Sequence, residues 1–271
     1  MAFLAHASPD LPAQIIPLVA SARDGRPSSR MRGGARQVGR GGEDRAMSAS
    51  NNNHNNNNDN NNNNSVLQQL LNLQKLAAPV PDQDEVSQIL SAELVRWRGN
   101  PRLATIILSG LAKHRLPLLA RSVLISMLAS RVEANVFHYN TAISACEKAG
   151  HWQLALHFFS SMPDLKLAPN KITYSATMSA CEKAGQWQLA LSLLSRMPEM
   201  RVVQDEITYN AAISACEKGG QWQLALSLLS SMTSVRIIPN EISYNAAISA
   251  CEKAGRWKVA LHLLSSIFGC R

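Results

Sequence analysis

Asn210, Ser214 and Lys218 fall at i, i+4 and i+8, so they lie along one face of any helix that carries them. The same stripe recurs as Asn140, Ser144, Lys148, as Ser175, Ser179, Lys183, and as Asn245, Ser249, Lys253. Thr105, Ser109 and Lys113 repeat it once more. A short Asn, Ser or Thr side chain can hydrogen-bond a base edge. One lysine per stripe can balance one phosphate per nucleotide. Side by side, such stripes suit single-stranded RNA. An ordinary solvated helix face has the same appearance, so the stripes alone leave both readings open.

Other chemistries find less support. Cys146, Cys181, Cys216 and Cys251 are evenly spaced, but each sits on the apolar stripe of its helix, where cysteine packs as a small hydrophobe. Equivalent stacked helices lie about 10 Å apart, beyond the roughly 7 Å Cα limit for a disulfide. No Cys-x-x-Cys occurs, and Cys270 has nothing beside it in sequence to activate it. The histidines show no metal-ligand spacing. Glu147, Glu182, Glu217 and Glu252 supply one carboxylate per unit, whereas acid–base work by paired carboxylates needs two in a pocket. No phosphate loop, nucleophile elbow or dinucleotide fingerprint is present. These absences predict a non-catalytic chain with no cofactor and no metal.

The elements that must position the stripes follow from an internal period. Cys146, Cys181, Cys216 and Cys251 are each 35 residues apart, as are Trp152, Trp187, Trp222 and Trp257. Tyr139, Tyr174, Tyr209 and Tyr244 keep the same interval and are all the tyrosines of the chain. The units run 136–170, 171–205, 206–240 and, incomplete, 241–271. Residues 101–135 lack the landmarks yet match at Ser109, Lys113, Leu119, Ala120, Ser126, Met127 and Asn135, a diverged copy.

Each unit reads as two helices. Tyr209, Ala212, Ile213 and Cys216 make one apolar stripe, Gly219 and Gly220 break it, and Leu224, Ala225, Leu228, Leu229 and Met232 make a second. Pro239 closes the connecting loop. One such hairpin cannot bury both stripes, but stacked neighbours can. The expected architecture is all-α, a right-handed α-solenoid of stacked helix-turn-helix repeats. The spaced tryptophans are expected to pack between units.

Upstream, residues 65–100 carry helical patterns over 66–78 and 84–98, as an N-terminal cap would. Residues 51–64 hold twelve Asn in fourteen positions, too polar to offset the entropy of ordering by burial, and read as a disordered linker. Residues 1–50 read as disordered. Frequent arginine after position 22 and sparse acids give them a resemblance to an organellar transit peptide, and Met31 to Gly42 is similar to an Arg-Gly RNA-binding tail. The 271 residues carry a net charge of +8. That excess favours a polyanionic partner. No apolar run is long enough for a transmembrane helix.

The 35-residue period, with ITYNAAISACEKGGQWQLALSLLSSM and IIPN in the unit 206–240, resembles the pentatricopeptide repeat (PPR) family. Uniform units make the P type the nearest match, and about 170 residues take part. The tetratricopeptide rival has 34 residues and a different pattern. The resemblance implies that the fifth and last residues of each unit jointly select one base. Thr105 with Asn135 implies adenine, Asn140 with Asn170 a pyrimidine, Ser175 with Asp205 guanine, and Asn210 with Asn240 a pyrimidine. The implied site is 5′-A-Y-G-Y-3′. Asn245 has no closing partner before Arg271. Phe137, Ile172, Ile207 and Ile242 would pack on the bases, and Arg102 departs from that apolar pattern. Lys113, Lys148, Lys183, Lys218 and Lys253 would meet phosphates.

The family further implies organellar RNA processing, stability or translation, in a chloroplast ahead of a mitochondrion. A four-base site with two degenerate positions recurs about every 64 nucleotides, so a defined target calls for a protein partner or a homo-oligomer. Ending inside a unit, without a polar cap, is what a truncated product would do. The alternative is a protein-binding helical-repeat scaffold of tetratricopeptide-like use, with an apolar or carboxylate-clamping groove.

Overall fold

The computed structural model describes residues 63–75 and 82–269, and every described element is helical apart from turns and connections. Helix α1 covers 63–75 and α2 spans Gln83–Gly99. Five helix pairs follow. The first helices are α3 (Arg102–Lys113), α5 (Val136–Ala149), α7 (Lys171–Lys183), α9 (Glu206–Lys218) and α11 (Glu241–Lys253). The second helices are α4 (Pro117–Ala129), α6 (Trp152–Ser161), α8 (Trp187–Glu199), α10 (Trp222–Ser234) and α12 (Trp257–Gly269).

Local chemistry sets these boundaries. Asn135, Asn170, Asp205 and Asn240 each sit in extended backbone, and each side-chain oxygen accepts the N–H three residues on. The third helical residue, His138, Thr173, Thr208 or Ser243, accepts the cap's own N–H in return. Two of the otherwise unpaired donors of each helix start are satisfied this way. After the first helices the chain turns through Gly150, Gly185, Gly220 and Gly255 at φ between 66° and 76°, the left-handed region glycine enters cheaply.

First helices stack on first helices in the order α3, α5, α7, α9, α11. Helices α4, α6, α8 and α10 each pack on the first helix of their own pair and on that of the next, and α12 packs on α11. The result is an α-solenoid with a continuous core. Met127, Met162, Met197 and Met232 recur every 35 residues and are fully buried, each stabilising the stack by about 2 kcal/mol. Cys146, Cys181 and Cys216 share that core as free thiols. Burial pushes Cys146 and Cys181 up to about 12 and Cys216 up to about 11, so they stay protonated and unreactive. Trp187 occupies the space a Cβ at Gly219 would need, and Arg256 stacks 5.2 Å from the Trp222 ring. Both contacts bridge consecutive pairs, which places these two tryptophans between units.

At the N-terminal side, Gln83 Nε2 donates to Ser126 Oγ at 2.9 Å and to the Ser122 carbonyl at 3.1 Å, fixing α2 on α4. Leu67 of α1 fills the place of a Cβ at Gly110. The expected helices thus lie at 63–75 and 83–99. The linker expectation for residues 51–64 needs correction at its end. Asn63 and Asn64 belong to α1, because the apolar stripe of Val66 and Leu70 is buried and the helix that carries it begins before them. The rest of that tract and the segment 1–50, with its transit-peptide and Arg-Gly readings, lie outside the described residues, as does Cys270. No helix among the described residues is long and apolar enough to cross a membrane.

Candidate nucleic-acid interface

The first helices expose one polar and one apolar feature per unit. Phe137, Ile172, Ile207 and Ile242 are second residues of their helices and stand 54–68% exposed. That exposure is costly for an apolar side chain without a ligand, and its repetition marks a surface rather than a single accident. Arg102 is the exposed counterpart in α3. Three residues on from each, the fifth residues line the same face.

Two of the implied base-selecting pairs are joined directly. Asn140 Nδ2 donates to Asn170 Oδ1 at 3.3 Å, and Asn210 Nδ2 donates to Asn240 Oδ1 at 3.2 Å. A third residue locks each pair. Thr173 Oγ1 donates to Asn140 Oδ1 at 2.6 Å, and Ser243 Oγ donates to Asn210 Oδ1 at 2.5 Å. The fifth residue is therefore held by the helix start of the following unit, and both Asn140 and Asn210 are buried at 9%. Asn245 stays exposed.

Capping determines what the closing residue can offer. Asn170 Oδ1 accepts from the Thr173 N–H at 3.1 Å, and Asn240 Oδ1 from the Ser243 N–H at 3.1 Å. The amide cannot turn over without setting N–H against N–H. Its Nδ2, a donor of two hydrogens, is thus left for a ligand. Asp205 makes the same cap with Oδ1, 3.0 Å from the Thr208 N–H, and leaves an oxygen acceptor instead. Asn and Asp at this place differ in the sign of what they present while keeping one backbone geometry.

Ser175 is too short to take part in such a lock. Thr208 Oγ1 turns to Asp205, 2.9 Å from its carbonyl and 3.1 Å from Oδ1, and Ser175 is half-buried. Asp205 also meets Lys171, with Nζ 2.6 Å from Oδ2. Burial pushes the Asp205 carboxyl up, but the Lys171 ammonium and the N–H and hydroxyl of Thr208 together hold it below its ordinary value. It is a carboxylate at neutral pH.

Thr105 and Asn135 make no direct bond to one another among the described contacts. His138 takes the place of the locking hydroxyl, and its Nε2 lies 2.8 Å from the Pro101 carbonyl. Thr105, Ser109 and Lys113 line a cavity together with Asn64 and Leu67 of α1. On its N-terminal side the stripe of this first unit is thus bordered by α1 rather than by another stripe.

Three of the five lysines expected to meet phosphates are paired with glutamates. Lys183 Nζ is 2.9 Å from Glu147 Oε1, Lys218 Nζ is 2.7 Å from Glu182 Oε1, and Lys253 Nζ is 2.6 Å from Glu217 Oε1. Each lysine is paired with the glutamate of the preceding unit. Ser249 Oγ joins the last pair at 3.0 Å from Glu217 Oε1. Lys148 would find its partner at position 112, which is Ala112. Lys148 and Lys113 are exposed. The glutamates were read above only as carboxylates for acid–base work, and the partner of Glu147 is not its neighbour Lys148, on another face, but Lys183. The sequence reading also missed Lys171, Thr173, Thr208 and Ser243. The pattern Asn/Asp-x-x-Thr/Ser ahead of an apolar run carried the signal for the last three.

Among the described residues no group of three His, Cys, Asp or Glu could hold a metal ion.

Models of the PPR repeat match the chain. A PPR repeat family model covers residues 134–183 and 204–253, and a PPR repeat model covers 172–202 and 242–270. Together they take in 134–202 and 204–270, half of the chain. No curated protein matches. Among solved structures, the pentatricopeptide repeat protein PPR10 from maize is 25% identical with a TM-score of 0.52, over 68% of this chain and 28% of that one. The chain therefore spans just over a quarter of the length of the maize protein. The PPR domain of Arabidopsis thaliana protein-only RNase P 1, solved with tRNA, is 16% identical over 59% of this chain and 84% of that one, with a TM-score of 0.52. Nuclear proteinaceous RNase P 2 from A. thaliana is 14% identical over 60% of this chain and 37% of that one, with a TM-score of 0.53. These last two share the fold.

Proposed function

We propose, from the premise that this chain belongs to the pentatricopeptide repeat family, that it binds single-stranded RNA along its row of first helices. One base is read per unit, in the manner of a P-type array, and the site is 5′-A-Y-G-Y-3′. The observation that carries this reading is the capping geometry. Asn170 and Asn240 spend Oδ1 on the helix start and keep Nδ2, whereas Asp205 spends Oδ1 and keeps Oδ2. Asn170 and Asn240 offer donors, which suit the O2, N3 or O4 acceptors of a pyrimidine. Asp205 offers an acceptor, which suits the N–H groups of guanine. Phe137, Ile172, Ile207 and Ile242 supply exposed apolar surface on which bases pack. Lys113 and Lys148 are the available phosphate contacts, and Lys183, Lys218 and Lys253 join them on leaving their glutamates.

The role is that of a binding protein, not a catalyst, acting in organellar RNA processing, stability or translation. The arginine-frequent segment 1–50 supports that setting. Each base contact contributes roughly 1–3 kcal/mol against an association cost of about 4–15 kcal/mol. Binding by four units is therefore weak, and a protein partner or a second copy supplies the remainder. The test is fluorescence anisotropy of the full chain on labelled RNA of the A-Y-G-Y type beside RNAs changed at single positions. Binding that follows the changed base supports the reading. An RNA-blind chain that captures a peptide ligand instead would move the assignment to a protein scaffold.

A further inference from the structure

One selecting pair has a third member. Lys171 opens the unit 171–205, one helical turn before Ser175 and on the same face. Its Nζ lies 2.6 Å from Asp205 Oδ2. That is the oxygen the cap leaves free, since Oδ1 accepts from the Thr208 N–H. The units opened by Val136 and Glu206 close on Asn170 and Asn240. The unit that closes on a carboxylate is thus the unit that opens on a cation.

The pairing does not close the site. A carboxylate oxygen has two lone pairs, so Oδ2 can accept from the ammonium and from a base together. The Lys171 side chain remains 54% exposed, and its ammonium has two further hydrogens to donate. Acceptor and donor stand side by side. The Watson–Crick edge of guanine carries the complement, an N1–H donor next to the O6 acceptor. Adenine carries the reverse, an N1 acceptor next to an N6 amine. Facing this site, adenine would set acceptor against acceptor and amine against ammonium.

We propose that Lys171 is a specificity-determining residue of this unit. It donates to O6 of the guanine whose N1–H is accepted by Asp205 Oδ2. The proposal deepens the RNA reading above and rests on it.

The test uses the full chain and RNAs of the A-Y-G-Y type with guanine or adenine at the third base. Lys171→Met keeps the apolar stem and removes the donor, while Lys171→Arg keeps a donor. Thermal melting of each variant controls for folding. The expected result is a guanine-to-adenine affinity ratio that falls about tenfold in Lys171→Met and is largely retained in Lys171→Arg. An equal loss on both RNAs would reduce Lys171 to a general charge and overturn the proposal. An unchanged or higher ratio would also overturn it, with Lys171 a bystander or a competitor for Asp205. In both cases a guanine preference in the wild type leaves the RNA reading standing. A wild type without preference at this base removes the pair reading and the proposal together.

Discussion

Lys218 Nζ rests 2.7 Å from Oε1 of Glu182, thirty-six residues earlier, and the same relation ties Lys183 to Glu147 and Lys253 to Glu217. The ladder crosses three of the four seams between first helices, all but that of α3 and α5, on the face proposed for RNA. It is exposed, so each rung contributes about 0–1 kcal/mol to stability. Its larger effect is on charge, because it neutralises three of the five lysines before any phosphate arrives.

A salt titration reads that effect. Two free lysines give a log–log slope of affinity against salt near −1.4, and five give about −3.5, at about 0.7 per phosphate on a single strand. Replacing Glu147, Glu182 and Glu217 by Gln together is expected to steepen the slope toward the second value and to tighten binding at low salt. Isothermal binding at several salt concentrations checks this. A slope that does not move would mean that the lysines do not meet phosphates.

Capping and the proposed base selection can be separated at Asn170. Asn170→Ala removes the acceptor for the Thr173 N–H and the partner of Asn140 Nδ2. It is expected to cost about 1 kcal/mol of stability and to weaken RNA binding. Asn170→Asp keeps the cap and exchanges the free donor for an acceptor. Its melting temperature is expected to match the wild type while the preference at the second base narrows to uracil. Denaturant melts beside anisotropy distinguish the two variants.

His138 gives the array a pH dependence. Burial lowers its pKa below the ordinary value, against the raising effect of the hydrogen bond to the Pro101 carbonyl. Its Nδ1 accepts the Asn135 N–H at 3.2 Å, so Nε2 carries the proton that meets Pro101. A second proton would break the capping box. The unfolded chain binds that proton more readily than the folded one, so stability is full above about pH 6.5 and falls as the pH drops below it. His157, also lowered by burial and by Arg121, acts in the same direction. His138→Thr restores the hydroxyl found in the other units and is expected to remove part of the loss in melting temperature between pH 7 and pH 5.

What was legible in the sequence follows from what repeats. The 35-residue interval of Tyr, Cys and Trp points to the eight helices α5 to α12, and the buried faces of α5 to α11 follow the apolar stripes. Asn140 with Asn170 and Asn210 with Asn240 were paired on a family resemblance, and the structure joins each pair by a hydrogen bond. Interactions between units were illegible, since they need the stacking register. Glu182 and Lys218 are no nearer in sequence than many other opposite charges, and Lys171 reads as a polar helix start until Asp205 folds back beside it. Asn63 and Asn64 misled for another reason: composition marked a tract, whereas the buried Val66 and Leu70 decided where its last residues go.

The most direct test of the central claim is one substitution read on one base. Ser175→Asn gives the unit 171–205 an Asn with Asp205, the combination that the family's rule assigns to uracil. Fluorescence anisotropy of the full chain, wild type and variant, on short RNAs that differ at the third base of A-Y-G-Y, is expected to show a guanine preference that moves to uracil. Binding without base preference in both proteins would leave the lysines as a charge track and contradict reading by units. No binding at low salt, even to long RNA, would contradict the assignment of this surface to RNA.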